Sequence, residues 1–199
     1  MIPSVRLIDL LESLESGRRP AGGVSADTGE IPSLGAEHLD DDGGFNFVSV
    51  KRIPIEFFDT LKTGRIGPSD ILIVKDGATT GKTSLVREDF PFACAAVNEH
   101  VFRVRVDPTK ASPLYVFHYL RSSPGQKAIQ LDFRGATVGG ISRDFAAKTV
   151  LPVPSLHEQR RIAEILDRAD ALRVRRRATL AQVDGLTQAI FLGAFPFPP

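Results

Sequence analysis

The residues from Asp76 to Thr83 look like a phosphate-binding loop, the motif in which backbone amides and a lysine hold nucleotide phosphates. That motif needs a glycine, four further residues, and then Gly-Lys-Ser/Thr. Here only three residues separate Gly77 from Gly81, and Asp76 occupies the position of the first glycine. A carboxylate there would repel phosphate, and the residues that follow are typical of a strand and a turn, not of a helix N-terminus. The sequence therefore predicts no nucleotide hydrolysis here, only a polar turn between two strands.

Other residue types that support catalysis or bind metals are present, but not in working combinations. The histidines lack the spacing of metal ligands; they are His38, His100, His118 and His157. A single cysteine, Cys94, excludes an intrachain disulfide and a multi-cysteine zinc site. The sequence has no Gly-x-Ser-x-Gly elbow, no Asn-Pro-Pro-Tyr-like motif and no nuclease pattern of Asp followed by Glu-x-Lys. We therefore expect no catalytic residues and no metal site.

Two polar segments carry side chains that could contact nucleic acid. The first is the turn described above, and its candidates are Lys75, Thr79, Thr80 and Lys82. The second is the glycine-rich stretch 134–143, and its candidates are Arg134, Thr137 and Arg143. These side chains reach phosphates, and arginine also binds guanine edges through two hydrogen bonds. The alternative for each segment is an ordinary solvated turn.

Length, composition and charge restrict the classes of protein to which the chain can belong. With 199 residues, 42% hydrophobic and 25% charged, the chain has the composition of one globular domain. No apolar run is long enough to span a membrane and the N-terminus is no secretory signal, so we expect a cytoplasmic protein. The formal net charge is only +1, yet residues 27–42 hold six acids and no base, whereas residues 158–177 hold seven arginines against four acids. A near-zero total can therefore conceal a basic face.

The apolar pattern predicts the elements that must position these segments. Residues 4–16 show helical spacing and predict a short amphipathic helix. Ile71–Val74 is a continuous apolar run typical of a strand buried on both faces, whereas Val101–Val106 alternates with arginine as a half-buried strand does. Residues 113–130 predict one helix, and a last strand is expected near Lys148–Val153. The fold class is thus mixed α/β.

A long C-terminal helix is the clearest single element. Pro152 and Pro154 end the preceding strand, and Ser155 with Glu158 forms a capping box that begins the helix. Alternating steps of three and four residues trace one narrow apolar seam, as in a coiled coil; its members are Ile162, Ile165, Ala169, Leu172, Val183, Leu186 and Ile190. A helix of about 54 Å exceeds the width of such a domain, so we expect part of the seam to pack against another helix. The alternative is a helix folded back on its own core.

Several segments together resemble the target recognition domain of type I restriction–modification specificity subunits. They are Ser69–Lys82, Asn98–Arg103, Gly135–Ser142 and Leu151–Asp167, the last being the most specific. The resemblance implies a globular DNA recognition domain at 1–153 that reads half of a bipartite site. It also implies a spacer helix at 155–192, followed by a tail at 193–199.

The resemblance also implies a chain without chemistry or cofactor of its own. Its partners would be double-stranded DNA, modification subunits that methylate adenine with S-adenosylmethionine, and a restriction motor subunit that uses ATP and Mg²⁺. Family members usually carry two recognition domains and two antiparallel helices, and this sequence has one of each. The chain could therefore be a natural half-subunit that dimerises, one product of a split gene, or a truncated piece of a longer chain. In the first two cases, a second copy or another specificity chain would supply the second helix.

Three alternatives remain open. The chain could be the specificity half of another multi-subunit DNA methyltransferase or restriction system. It could be a stand-alone methyltransferase or nuclease, which the missing catalytic motifs argue against. It could also be a helical adaptor that binds no DNA.

Overall fold

The structure, a computed structural model, describes residues 2–21, 23, 29–135 and 139–194. The described residues form nine strands, which are β1 (Ser4–Arg6), β2 (Leu11–Ser16), β3 (Ile31–Leu34), β4 (Arg52–Ile53), β5 (Ile71–Val74), β6 (Thr83–Leu85), β7 (Ala96–Val97), β8 (Val101–Val106) and β9 (Val150–Pro152). They also form five α-helices, which are α1 (Ile55–Thr60), α2 (Pro113–Arg121), α3 (Ser123–Gln130), α4 (Phe145–Lys148) and α5 (Leu156–Ala194). The mixed α/β class with one long C-terminal helix is confirmed.

The main sheet has four antiparallel strands in the order β2-β8-β5-β6. Its central strand β5 is fully buried along its length, because apolar clusters cover both faces. This confirms the prediction for Ile71–Val74. Two smaller pairings complete the fold: β1 with β9, and β3 between β4 and β7. The predicted last strand is confirmed as β9.

The predicted helix at residues 4–16 is wrong. The segment instead forms β1, a 3-10 turn at Leu7–Leu10, and β2. Leu7 and Leu10 are buried in the core from this turn, while β2 pairs with β8, about ninety residues further along the chain. Pairing with a distant strand satisfied the backbone hydrogen bonds that a helix would have satisfied locally, and spacing alone does not reveal such a partner.

The strand β8 is confirmed, but the prediction that it is only half-buried is wrong. Arg103 is only 4% exposed, and its guanidinium lies 2.5 Å from Glu15. Arg105 donates two hydrogen bonds of 2.8 Å to the fully buried Asp70. This hydrogen bonding raises the pKa of Arg105. Paired charges and hydrogen bonds let arginine occupy a buried strand, where an unpaired charge would not be tolerated.

The stretch 113–130 forms two helices where one was predicted. Ser122 separates them: its backbone amide donates to the last turn of α2, and its Oγ accepts from Gly125 N at the start of α3. Pro124 then occupies the first turn of α3, where a missing N–H costs nothing. The two caps bend the chain so that α3 lies against α4 and α2.

The chain divides into two compact units, Met1–Ala163 and Glu164–Pro199, and the division falls within helix α5. In the first unit, Ser155 Oγ accepts a hydrogen bond from Glu158 N at 3.3 Å, which confirms the predicted N-cap. Gln159 and Ala163 are fully buried, and the Gln159 carboxamide accepts a hydrogen bond of 2.8 Å from Ser112 N. Among the described residues, no helix combines the length and apolar character needed to cross a membrane.

Candidate functional site

The two polar segments singled out above lie together in the fold. Residues 75–82, here called the tip, connect β5 to β6 as the predicted polar turn. Gly77 N donates to Gly139 O at 3.1 Å, and Ile141 N donates to Lys75 O at 2.8 Å. The tip is therefore joined by backbone hydrogen bonds to the described part of 134–143, here called the glycine segment. We refer to the two together as the paired surface.

Helix α3 holds the tip in place from one side. Gln126 donates its side-chain N–H to Gly81 O at 3.0 Å, and Gln130 donates to Thr80 O at the same distance. Gly81 has φ of +92°, a left-handed conformation that other residues rarely adopt. The sequence analysis did not identify these glutamines; a pair of amides at i and i+4 on a helix was the available signal.

The first candidates on the tip differ in what they present to solvent. The Lys75 side chain is about one quarter exposed; its Nζ lies 3.5 Å from Asp76 and 5.8 Å from the centre of the Phe102 ring. Thr80 Oγ1 donates to Gly77 O at 2.7 Å, which closes the turn. Thr79 is exposed. Lys75 and Thr80 thus help to shape the tip, whereas Thr79 is available for an external contact.

Lys82 lies in a polar cavity of about 370 Å³ beside the tip. Its Nζ is 2.9 Å from a carboxylate oxygen of Asp41, whose side chain is 87% exposed. Arg121 also lines the cavity and donates to the Asp41 carbonyl oxygen at 3.1 Å. The cavity therefore places two cations beside an exposed carboxylate, an arrangement in which an external anion would compete with Asp41.

The glycine segment presents two arginines. Arg134 and Gly140 exchange two backbone hydrogen bonds of 2.9 Å, so that the backbone of Arg134 is fixed. Its side chain is 67% exposed, with Asp132 at 3.5 Å and Asp144 at 3.9 Å. Arg143 is exposed. Thr137, the third candidate of this segment, lies outside the described residues.

A buried carboxylate, that of Asp132, holds the glycine segment through Ser142. Asp132 is 1% exposed; Ser142 donates to it through both its backbone N and its Oγ at 2.7 Å, and Lys148 forms an ion pair with it. Burial alone would raise the pKa of Asp132, but the hydrogen bonds from Lys148 and Ser142 outweigh it and lower the pKa to about 2. Asp132 was not among the predicted site residues.

A histidine and two carboxylates lie at the base of the tip. His100 Nδ1 is 2.5 Å from Asp76, its Nε2 is 3.4 Å from Glu99, and its carbonyl oxygen accepts from Lys75 N. These contacts tie the tip to the loop before β8. Within the described ranges, no cluster of three His, Cys, Asp or Glu side chains could hold a metal ion.

The predicted helix seam divides along α5. Ile162 is half-buried and packs against the core of the first unit, and Ala169 is also half-buried. The remaining seam members are 52–69% exposed; they are Ile165, Leu172, Val183, Leu186 and Ile190. Further exposed apolar side chains lie off the seam, namely Leu166, Val174, Leu180, Phe191 and Leu192.

Comparison with protein-family models gives one match over most of the chain. Residues 3–182 match the type I restriction modification DNA specificity domain. Among curated proteins, the specificity subunit of the type I restriction enzyme MjaVIII from Methanocaldococcus jannaschii is 25% identical over 169 residues. That match covers 84% of this chain and 36% of the relative.

Solved structures share the fold. The S subunit of a type I restriction–modification system from M. genitalium has a TM-score of 0.61 at 17% identity, over 92% of this chain and 42% of that one. The HsdS subunit from Thermoanaerobacter tengcongensis has a TM-score of 0.60 at 20% identity, over 97% and 44%. A chain from a structural study of type I R-M complex assembly and conformational transition reaches 0.64 at 20% identity, over 94% and 44%. The present chain thus spans less than half the length of each of these proteins.

Proposed function

Because this chain belongs to the family of type I restriction modification DNA specificity domains, we propose that it recognises one half of a bipartite DNA site and performs no chemistry of its own. The observation that carries this proposal is the joining of the tip to the glycine segment. Two polar segments far apart in sequence, which carry Thr79 and Lys82 on one side and Arg134 and Arg143 on the other, are joined by backbone hydrogen bonds. Hydroxyl, ammonium and guanidinium groups fixed on a rigid backbone suit phosphate and base-edge contacts.

The charge balance of the paired surface bears on how DNA would be read. Lys82 already lies beside Asp41, and Arg134 beside Asp144. DNA phosphates must therefore compete with these carboxylates. Each cation consequently contributes less binding free energy than a cation without a neighbouring carboxylate would. We expect weak affinity for DNA of arbitrary sequence, with base contacts contributing most of the affinity for the correct half-site.

Helix α5 would provide the assembly function. Its exposed apolar seam suits a partner helix, which a second copy of this chain or another specificity chain would supply. Two copies related by a two-fold axis would read an inverted repeat with an unread spacer. Modification subunits that use S-adenosylmethionine, and a restriction motor that uses ATP and Mg²⁺, would complete a cytoplasmic complex.

Binding by the full chain to duplex DNA tests the proposal. We expect the chain to select a sequence from random duplexes, and its affinity for that sequence to fall as salt rises, because the remaining phosphate contacts are sensitive to salt. Replacing Arg134 or Arg143 by alanine should weaken specific binding by about 1–3 kcal/mol if the arginine contacts a base. Arg6→Ala is the matched control, because Arg6 is also an exposed arginine beside an aspartate.

Two outcomes would contradict the assignment. If neither arginine variant changes affinity or sequence preference, the glycine segment is not part of the interface. If the wild-type chain shows no salt-dependent binding to any duplex, an adaptor that binds only proteins becomes the better account.

A further inference from the structure

Two exposed apolar side chains immediately precede the glycine segment in the chain. Leu131 is 78% exposed and Phe133 is 41% exposed, in the turn that leads from α3 into the glycine segment. Asp132, between them, points inward and is buried. We define Leu131 and Phe133 as the apolar ridge. Isolated exposed apolar residues are ordinary on protein surfaces, so the ridge needs evidence beyond exposure.

That evidence is the rigidity with which the ridge is held. Asp132 fixes the turn through Ser142 and Lys148, while Leu131, Asp132 and Phe133 donate their backbone N–H groups to the last turn of α3. The Phe133 ring lies on the backbone of Gly139: a Cβ added there would fall 2.1 Å from Phe133 Cζ. An aromatic ring seated on a glycine and presented outward is fixed before any partner arrives.

The size of the ridge favours a nucleic-acid base over a protein partner. A standard protein interface buries roughly 800 Å² per partner, far more than two partly exposed side chains offer. Arg134 follows Phe133 directly and is itself 67% exposed, so the ridge continues into the cationic part of the paired surface. In the major groove of DNA, the apolar feature of a base pair is the 5-methyl group of thymine.

We propose that Leu131 and Phe133 contact the 5-methyl group of a thymine in the half-site, and so determine specificity at that position. This inference rests on the proposed DNA-reading function. It adds an apolar contact to the hydrogen bonds of Arg134 and Arg143, so that one surface distinguishes thymine from cytosine as well as recognising guanine.

The test combines a change in the DNA with a change in the protein. A binding site is first selected from random duplexes with the full wild-type chain. Each thymine of the site is then replaced by uracil, which removes only the methyl group. For the wild type we expect at least one replacement to weaken binding by about 4-fold, the equivalent of one buried carbon. For Leu131→Ala and Phe133→Ala, we expect duplexes with thymine and uracil at that position to bind equally.

Two controls separate the ridge from the phosphate contacts. Both ridge variants should keep the wild-type dependence of affinity on salt, because neither side chain neutralises a phosphate. Ile55→Ala, which shortens a 45% exposed apolar residue at the start of α1, should keep the full uracil effect. Leu131 is largely solvated, so its variant reports on binding even if Phe133→Ala destabilises the turn.

The outcomes distinguish failure of the inference from failure of the proposed function. The inference is overturned if no uracil replacement weakens wild-type binding, or if the ridge variants retain the uracil effect, while Arg134→Ala and Arg143→Ala still lose affinity. If the wild type selects no site, the proposed function itself fails.

Discussion

The same apolar residue types have opposite environments in the two compact units of this chain. In Met1–Ala163, Leu120 of α2 is fully buried, whereas Leu172, beyond Ala163 in α5, is 65% exposed. Both leucines lie in helices, so secondary structure does not account for the difference. The first unit buries its own core, and the second leaves an apolar stripe that water must cover unless another helix does. The contrast separates a unit that buries its apolar side chains within itself from one whose described apolar side chains are largely exposed.

The burial of charged side chains also differs between the two units. In the first unit the buried charges are compensated, as with Asp70 beside Arg103 and Arg105. Along the outer part of α5 the charges lie on the surface, where an i,i+3 pair such as Arg173 with Asp170 contributes little. Buried ion pairs therefore support the main sheet of the first unit, while the described outer part of α5 carries exposed charges and exposed apolar side chains.

The largest expected effect comes from placing charge in the seam. Leu172→Asp combined with Leu186→Asp should weaken helix-mediated association at least 1,000-fold, since each unpaired carboxylate buried in an interface costs about 3 kcal/mol or more. Sedimentation of the full chain measures the change.

Val174→Asp with Ala181→Asp is the matched control for that variant. It adds the same charge to exposed positions off the seam and should leave association intact. An assembly that survives the seam variant would mean that the seam is not the interface.

A smaller effect is expected when Leu120 and Leu172 are each replaced by alanine. Leu120→Ala should lower the free energy of unfolding by about 2–5 kcal/mol, because it opens a cavity in the core of the first unit. Leu172→Ala, measured at a concentration where the chain is monomeric, should change it by less than about 0.5 kcal/mol. Equal losses of the free energy of unfolding in denaturant titrations would contradict this difference in burial between the two units.

A third prediction concerns the pH dependence of stability that Asp132 contributes. Because the folded-state pKa of Asp132 is about 2, below its value in the unfolded chain, its contribution is fully present above about pH 4 and is lost as pH falls toward 2. Asp132→Asn should remove about 2 kcal/mol of stability at pH 7 and flatten the stability profile between pH 4 and 2. If the variant keeps the wild-type slope over that range, another carboxylate is responsible.

The last prediction compares the changes in stability when two helical glycines are replaced by alanine. A Cβ at Gly185 in α5 would meet nothing within 4 Å, so Gly185→Ala should raise helix stability by up to about 1 kcal/mol. A Cβ at Gly125 in α3 would fall 2.0 Å from the Tyr119 carbonyl oxygen, so Gly125→Ala should destabilise the first unit. Thermal unfolding followed by circular dichroism distinguishes the two signs.

These contrasts also show which parts of the fold are predictable from sequence. Strand β5 and helix α5 were predicted because their patterns are continuous and local. Residues 4–16 do not form the predicted helix because their strands β1 and β2 pair with β9 and β8, which lie about ninety residues away or more and leave no periodic signal in the segment itself. The arginines of β8 suggested an exposed face, since a buried Asp70 that pairs with them is not visible from alternation alone.

The candidate site was predictable in its parts but not in its arrangement. The tip and the glycine segment were each identified from residue type, yet their backbone pairing through Gly139 and Ile141 is a tertiary contact. Asp132 and the apolar ridge were missed because a Leu-Asp-Phe sequence has no motif, and the burial of the aspartate between two exposed apolar side chains is a tertiary feature. Whether the predicted residues contact DNA stays a prediction.

The most direct measurement of the central claim is a map of modified bases in the host genome, with and without this gene. The account predicts that one methylated-adenine motif disappears with the gene. The motif should not return when the gene is restored with both Arg134→Ala and Arg143→Ala. An interrupted palindrome would indicate two copies of this chain, and an asymmetric motif would indicate another specificity chain. A genome in which every modified motif persists without the gene would contradict the claim that this chain selects the DNA site.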